Sequence, residues 1–148
     1  MRTIILRFGI VLGKDSQIIK NVLPLFKKGL EINFSRGEEW LSWVHIEDIV
    51  RAVEFLINCG ADGIFNITSP SPCLRKDFNK ALWKILNQQP KLKINLPKFF
   101  AYFIFGKELT NHLIISSQRV LPKKLLNLGF DFTYKEIDEA IKDCISYN

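Results

Sequence analysis

"WVHIEDIVRAVEFLI" (residues 43–57) changes character within six positions. Trp43, Val44 and His45 are bulky, with the histidine set between two β-branched residues, and they suit a short strand. From Asp48 onward apolar residues recur at 49, 50, 53, 56 and 57. That spacing predicts an amphipathic helix over 48–59, with Ile49, Val50, Val53, Leu56 and Ile57 on its inner face. Glu47 and Asp48 fall in its first turn, where the helix dipole favours negative charge. The stretch is therefore the seam at which a strand becomes a helix.

Upstream, "TIILRFGIVLG" (3–13) is a mostly apolar, isoleucine-rich run that fits a strand buried on both faces, as parallel sheets require. "SQIIKNVLPLFKKG" (16–29) has helical spacing, with Ser16 to cap it, Gly29 to stop it, and Pro24 placed to kink or split it. "EINFSRGEEWLSWVHI" (31–46) predicts two short strands around a turn at Gly37, and "GIFNITSP" (63–70) another buried strand. The order β, α, short β, α, β is half of an open α/β sheet.

After Pro72 the pattern shifts. "LRKDFNKALWKILN" (74–87) predicts an amphipathic helix with a basic outer face, and "KLKINLP" (91–97) a short strand. "KFFAYFIFGKELTNHLII" (98–115) is aromatic and reads as helix up to Gly106. "PKKLLNLGFDF" (122–132) suggests a short helix, a glycine stop and a small strand. "TYKEIDEAIKDCI" (133–145) has Thr133 and Glu136 at capping-box spacing and a stripe of Ile137, Ala140, Ile141 and Cys144.

Composition narrows the classes. Among 148 residues, 47% hydrophobic and 24% charged is ordinary for a globular chain. The longest apolar run, "FFAYFIF" (99–105), is far short of the roughly 20 residues of a spanning helix, so no membrane is expected. No leader pattern precedes the first strand, which points to the cytoplasm. Cys59, Cys73 and Cys144 are isolated, without CxxC spacing, and read as idle thiols rather than disulfides or a zinc site. The net charge of +6 is concentrated in residues 71–124, with 11 basic and 2 acidic side chains. Those cations are mostly lysines without interleaved aromatics, so a solvated face is favoured over nucleic acid.

"LRFGIVLG", "WVHIEDIV", "GIFNITSP" and "LPKKLLNLGFDFTY" together resemble the C-terminal half of an extended short-chain dehydrogenase/reductase. More narrowly they resemble the epimerase-family branch of nucleoside-diphosphate-sugar epimerase-like proteins, which end in a small domain of unknown function. The resemblance implies the C-terminal part of an NAD(P)-binding Rossmann-type parallel sheet (1–70) and a small α+β C-terminal, substrate-side domain (71–148). Such enzymes hold the cofactor pyrophosphate on a GxxGxxG turn and use a Tyr-x-x-x-Lys pair for proton exchange. The eight glycines form no such turn, and Tyr102, Tyr134 and Tyr147 have no lysine four residues on. The expectation is a half-protein: NAD(P) in full-length relatives, no cofactor bound by this chain alone, and no catalytic residue within it.

By resemblance, Phe8, Gly9 and Ile10 pass beside the nicotinamide, with glycine permitting close approach or merely easing a packed strand. Arg7, inside an apolar strand, would need a partner if buried and is favoured as structural over substrate-binding. Trp40 and Trp43 could stack on a substrate ring or pack in the core. Asn66 and Ser69 lie where open α/β sheets place ligands, although turn chemistry also explains them. His45 is favoured as a hydrogen-bonded structural histidine; with His112 in an unrelated segment, no metal set exists. Leu41 stands where many nucleotide-sugar epimerases carry a pyrophosphate-binding arginine, which leaves the substrate open. The competing reading is a non-enzymatic interaction module related to cell-division inhibitors or regulators. The 3–13 strand would present an unpaired apolar edge, so the expected partners are a missing N-terminal half or a second copy.

Overall fold

A computed structural model describes residues 2–33, 36–110 and 117–146. His112 and Tyr147 lie outside the described residues. Among the described residues eight strands and six helices follow in chain order: β1 (Ile4–Phe8), β2 (Ile10–Leu12), α1 (Gln17–Lys27), β3 (Leu30–Asn33), β4 (Trp40–Leu41), β5 (Trp43–His45), α2 (Ile46–Asn58), β6 (Gly63–Ile67), β7 (Cys73–Leu74), α3 (Arg75–Ile85), β8 (Leu92–Asn95), α4 (Lys98–Leu109), α5 (Lys123–Asn127) and α6 (Ile137–Ile145). The strands associate as pairs. β1–β6, β2–β5 and β3–β8 are parallel, and β4–β7 is antiparallel. The chain is thus α/β with parallel pairing, as the order of elements required.

The run 3–13 is not one strand. It divides at Gly9, whose N–H donates to the Ile67 carbonyl at 3.1 Å, while the next N–H, of Ile10, donates to Ser42 at 2.8 Å. The first half therefore belongs to β6 and the second to β5. A Cβ on Gly9 would lie 2.4 Å from the Ser42 carbonyl oxygen and 3.1 Å from Thr68 Cγ2, so only glycine lets the chain change partners here. Nor is β1 buried on both faces. Leu6 packs inward beside Phe65, but Ile5 (50% exposed) and its neighbour Ile64 (39%) face outward with Arg7 and Asn66.

Several local expectations are corrected by what the side chains touch. Pro24 lies inside a continuous α1, because its ring and the Lys20 carbonyl it leaves unbonded are on the solvent side. Ser16 occupies the N-cap position without capping through its hydroxyl. Segment 31–46 makes three strand pieces with three different partners, not two. On α2 the buried positions are Asp48, Ala52 and Leu56, whereas Val50 (62%) and Ile57 (58%) are exposed. Residues 130–132 form no strand; Phe130 and Phe132 instead insert edge-to-face into the core at 4.8 Å. The Thr133–Glu136 capping box is absent: Glu136 is itself the N-cap of α6 and accepts the Ser71 hydroxyl at 2.9 Å.

Two apolar clusters hold the elements together. One joins Leu12, α1, Leu41, Trp43, α3 and α6; the other joins Val44, α2, β6, Leu125, Phe130 and Phe132. Both draw on residues from either side of position 70. Among the described residues no helix is long and apolar enough to cross a membrane, and no cluster of His, Cys, Asp or Glu could hold a metal.

Candidate functional site

A cleft of about 570 Å³ opens at the carboxyl ends of β1 and β6, the place where open α/β sheets bind ligands. Arg7, Phe8, Gly9 and Ile10 form one side, Asn66 and Thr68 the next, and Trp40, Ser42, Gln118 and Val120 close it. The switch of strand partner at Gly9 creates this opening, since β1 and β2 diverge around it. Segment 117–120 is laced along β4 as the far wall. The Gln118 N–H donates to the Trp40 carbonyl at 3.3 Å, Ser42 Oγ donates to the Gln118 carbonyl at 2.6 Å, and the Val120 N–H returns to Ser42 Oγ at 2.8 Å. The Arg119 guanidinium lies 4.6 Å from the centre of the Trp40 ring, a cation–π distance.

Of the residues singled out from the sequence, Arg7, Phe8, Gly9, Ile10, Trp40 and Asn66 meet in this cleft. Arg7 is exposed and has no carboxylate partner among the described residues, so it is not a buried structural arginine. Three others lie elsewhere. Trp43 is 1% exposed, with its indole N–H donated to the Ser71 carbonyl at 3.1 Å. Ser69 is 1% exposed and donates to the Lys135 carbonyl at 3.1 Å. His45, also 1% exposed, caps α2: its Nδ1 accepts the Glu47 N–H at 3.3 Å. Tyr134 covers the imidazole at 3.8 Å between centroids, and Nε2 lies 3.3 Å from Asp143 Oδ2 without hydrogen-bond alignment. Burial, together with the Glu47 and Asp143 carboxylates, holds the Tyr134 phenol above its usual range, and its hydroxyl donates to Glu47 Oε2 at 3.1 Å.

Sequence reasoning missed Ser42, Thr68, Gln118, Val120 and Arg119. Arg119 had a weak signal, as the one Lys or Arg between Lys107 and Lys123. Ser42 and Thr68 are short polar side chains and Gln118 and Val120 meet them through backbone groups, so their roles depend on segments about 50 to 80 residues apart in the chain. Leu41, at the position where many nucleotide-sugar epimerases carry an arginine, is 2% exposed in the core; the side chains beside it that face the cleft are Trp40 and Ser42.

The thiols take no part in the cleft. Burial, reinforced by Asp77 beside Cys73 and Asp143 beside Cys144, pushes both thiols up to about 12. Cys59 is exposed on the end of α2. At pH 8 the native protein should therefore give one fast-reacting thiol with an aromatic disulfide reagent, and all three after denaturation. A fast stoichiometry above one would contradict the part-burial of Cys73 and the burial of Cys144.

Toward a dinucleotide, these residues offer a single wall. The half-exposed Phe8 ring and the backbone of Gly9 and Ile10 can lie against a planar ring, but no glycine-rich turn at a helix N-terminus is present to take the pyrophosphate.

Comparison with known proteins agrees with this geometry. Residues 96–144 match a domain of unknown function (DUF1731). The chain is 34% identical over 148 residues to epimerase family protein YfhF of Bacillus subtilis, covering 99% of this chain and 47% of that protein. It is 30% identical over 143 residues to the chloroplastic SDR39U1 homolog of Arabidopsis thaliana, covering 96% and 40%. The chain thus spans about half the length of the relatives it matches. Among solved structures, human epimerase family protein SDR39U1 with NADPH superposes with a TM-score of 0.85 at 23% identity, covering 100% of this chain and 50% of that one. UDP-glucose 4-epimerase of Thermotoga maritima with UDP-glucose gives 0.72 at 20% identity, covering 97% and 45%. By these likenesses the chain is similar along nearly its whole length to the C-terminal part of epimerase family proteins, with parallel strand pairs as in Rossmann-type structures.

Proposed function

We propose that this chain is the substrate-side half of an NAD(P)-dependent epimerase- or reductase-like protein, and that it is catalytically silent by itself. Residues 1–70 supply the Rossmann-type part and residues 71–148 the substrate-side domain. The observation that carries this reading is the cleft at the ends of β1 and β6, bounded by Arg7–Ile10 and Asn66. Among the described residues no carboxylate lines it, and Arg7 and the Trp40-stacked Arg119 stand beside it, so the substrate it favours is anionic. When bound, NAD(P) would supply hydride transfer; the residues here would contribute one face of its ring pocket and the walls around the substrate. Three unpaired cysteines suit work in a reducing cytoplasm.

The partner this reading calls for is assigned to the uncovered face of the β1–β6 pair. The outward face of β1 and β6 bears Ile5 and Ile64. Parallel sheets normally have both faces covered. A segment equivalent to the other half of the relatives' length is the occupant we assign to this face.

NADPH fluorescence titration tests the reading. The chain alone should show no saturable binding tighter than ~10 μM, which corresponds to about −7 kcal/mol. On size-exclusion chromatography it should self-associate. Adding the separately produced N-terminal half of a relative such as YfhF should yield a heterodimer that binds NADPH. Tight NADPH binding by the chain alone, or a clean monomer whose elution is unchanged on mixing, would overturn the proposal.

A further inference from the structure

A second cleft, of about 780 Å³, opens between the β3–β8 pair and α3, and shares no lining residue with the first. Its floor is polar and firmly bonded. The Glu31 carboxylate, 7% exposed, accepts the Trp83 indole N–H at 2.6 Å and an Asn33 amide N–H at 3.2 Å. Asn33 Oδ1 in turn accepts from Asn79 Nδ2 at 3.2 Å. The carboxamides of Asn33 and Asn79 are thereby oriented, while Asn79 Oδ1 and the whole Asn95 amide have no protein partner among the described residues.

The rim is cationic. Lys93 leans toward Glu31 at 3.7 Å and Lys80 toward Asp77 at 3.6 Å, but Arg36 and Lys76 have no carboxylate partner among the described residues. These two are brought to the same edge by the backbone. The N–H groups of Lys76 and Arg75 donate to the Gly37 and Glu39 carbonyls at 3.0 and 2.9 Å, which holds the loop carrying Arg36 against the start of α3. Gly37 makes that turn with φ +77°, packed so closely that an added Cβ would sit 3.1 Å from Lys76 Cβ.

We propose that this cleft binds a phosphorylated polyol, of the size of a sugar phosphate. Guanidinium and ammonium groups recognise phosphate through charge-assisted hydrogen bonds, and Arg36 and Lys76 are free to do so. The floor sets the other end of the ligand. Glu31 would repel a bare inorganic anion lying deep in the cleft, whereas its carboxylate and the oriented carboxamides accept and donate to hydroxyls. The volume lies within the range of small-molecule sites. The inference is independent of the function proposed for the first cleft.

Isothermal titration of the whole chain with glucose 6-phosphate, glucose and inorganic phosphate, all at constant ionic strength, tests it. Glucose 6-phosphate should bind saturably, inorganic phosphate at least about tenfold more weakly, and glucose not measurably; tenfold is about 1.4 kcal/mol. The double variant Arg36→Gln, Lys76→Gln changes exposed side chains only and should weaken glucose 6-phosphate about tenfold or more with an unaltered melting temperature. Asn79→Ala should weaken glucose 6-phosphate more than phosphate. Absence of saturable binding, equal affinity for phosphate and sugar phosphate, or equal affinity in the double variant would each overturn the assignment.

Discussion

Asp48→Ala should lower the stability of this chain by about 3 kcal/mol and its melting temperature by roughly 10 °C. The carboxylate is fully buried and does more than begin a helix. Oδ1 accepts the Thr133 N–H at 2.8 Å and Arg51 Nη1 at 2.9 Å, and Oδ2 accepts the Tyr134 N–H at 2.9 Å. Alanine would leave two backbone donors without partners, each costing on the order of 1–3 kcal/mol. The Arg51 bond adds little, because that side chain is 46% exposed and can turn to water. These bonds fasten residues 133–134, just before α6, onto α2, so amide exchange in 130–145 should accelerate more than elsewhere. Urea or thermal unfolding checks the magnitude. An alanine variant melting within about 2 °C of the parent would mean that the carboxylate is not the fastener described.

Gly9→Ala should destabilise by about 2–3 kcal/mol through overpacking rather than through backbone strain. The Cβ would meet the Ser42 carbonyl oxygen at 2.4 Å, and both partners there are backbone, so neither can rotate aside. Gly129 supplies the contrast. It has φ +88° and open space around its Cβ position, so Gly129→Ala should cost about 1–2 kcal/mol from the left-handed conformation alone. Hydrogen exchange separates the two. The Gly9 variant should lose protection at Ile10 and Leu12, where β2 meets β5, and the Gly129 variant should not. Equal loss of protection in both would remove the claim that Gly9 is where the strand changes partner.

Position 9 also shows how far a sequence can be read. An apolar run from 3 to 13 announces a strand, and its glycine announces a close approach, but nothing in the run states that two different strands lie beside it. His45 and Arg7 make the same point in opposite directions. Both are polar residues in apolar surroundings; the fold turns the histidine inward onto the helix start and the arginine outward into the cleft.

What the sequence by itself determined was the succession of elements, because apolar period and turn residues are local: α1, α2, β6, α3 and α5 lie where spacing and glycine placed them, while β1 and α6 occupy only part of the runs that announced them. The motifs in 43–48 and 121–134 also carried the family resemblance, since each is contiguous. Only the tertiary structure decided which short strands pair, which face of α2 and β1 is covered, and which polar side chains meet. Those outcomes rest on contacts between segments far apart in the chain, such as Asp48 with Tyr134, 86 positions on, or Ser42 with Val120, 78 positions on. Periodicity tells a residue that it has a neighbour; closure of the chain decides which one.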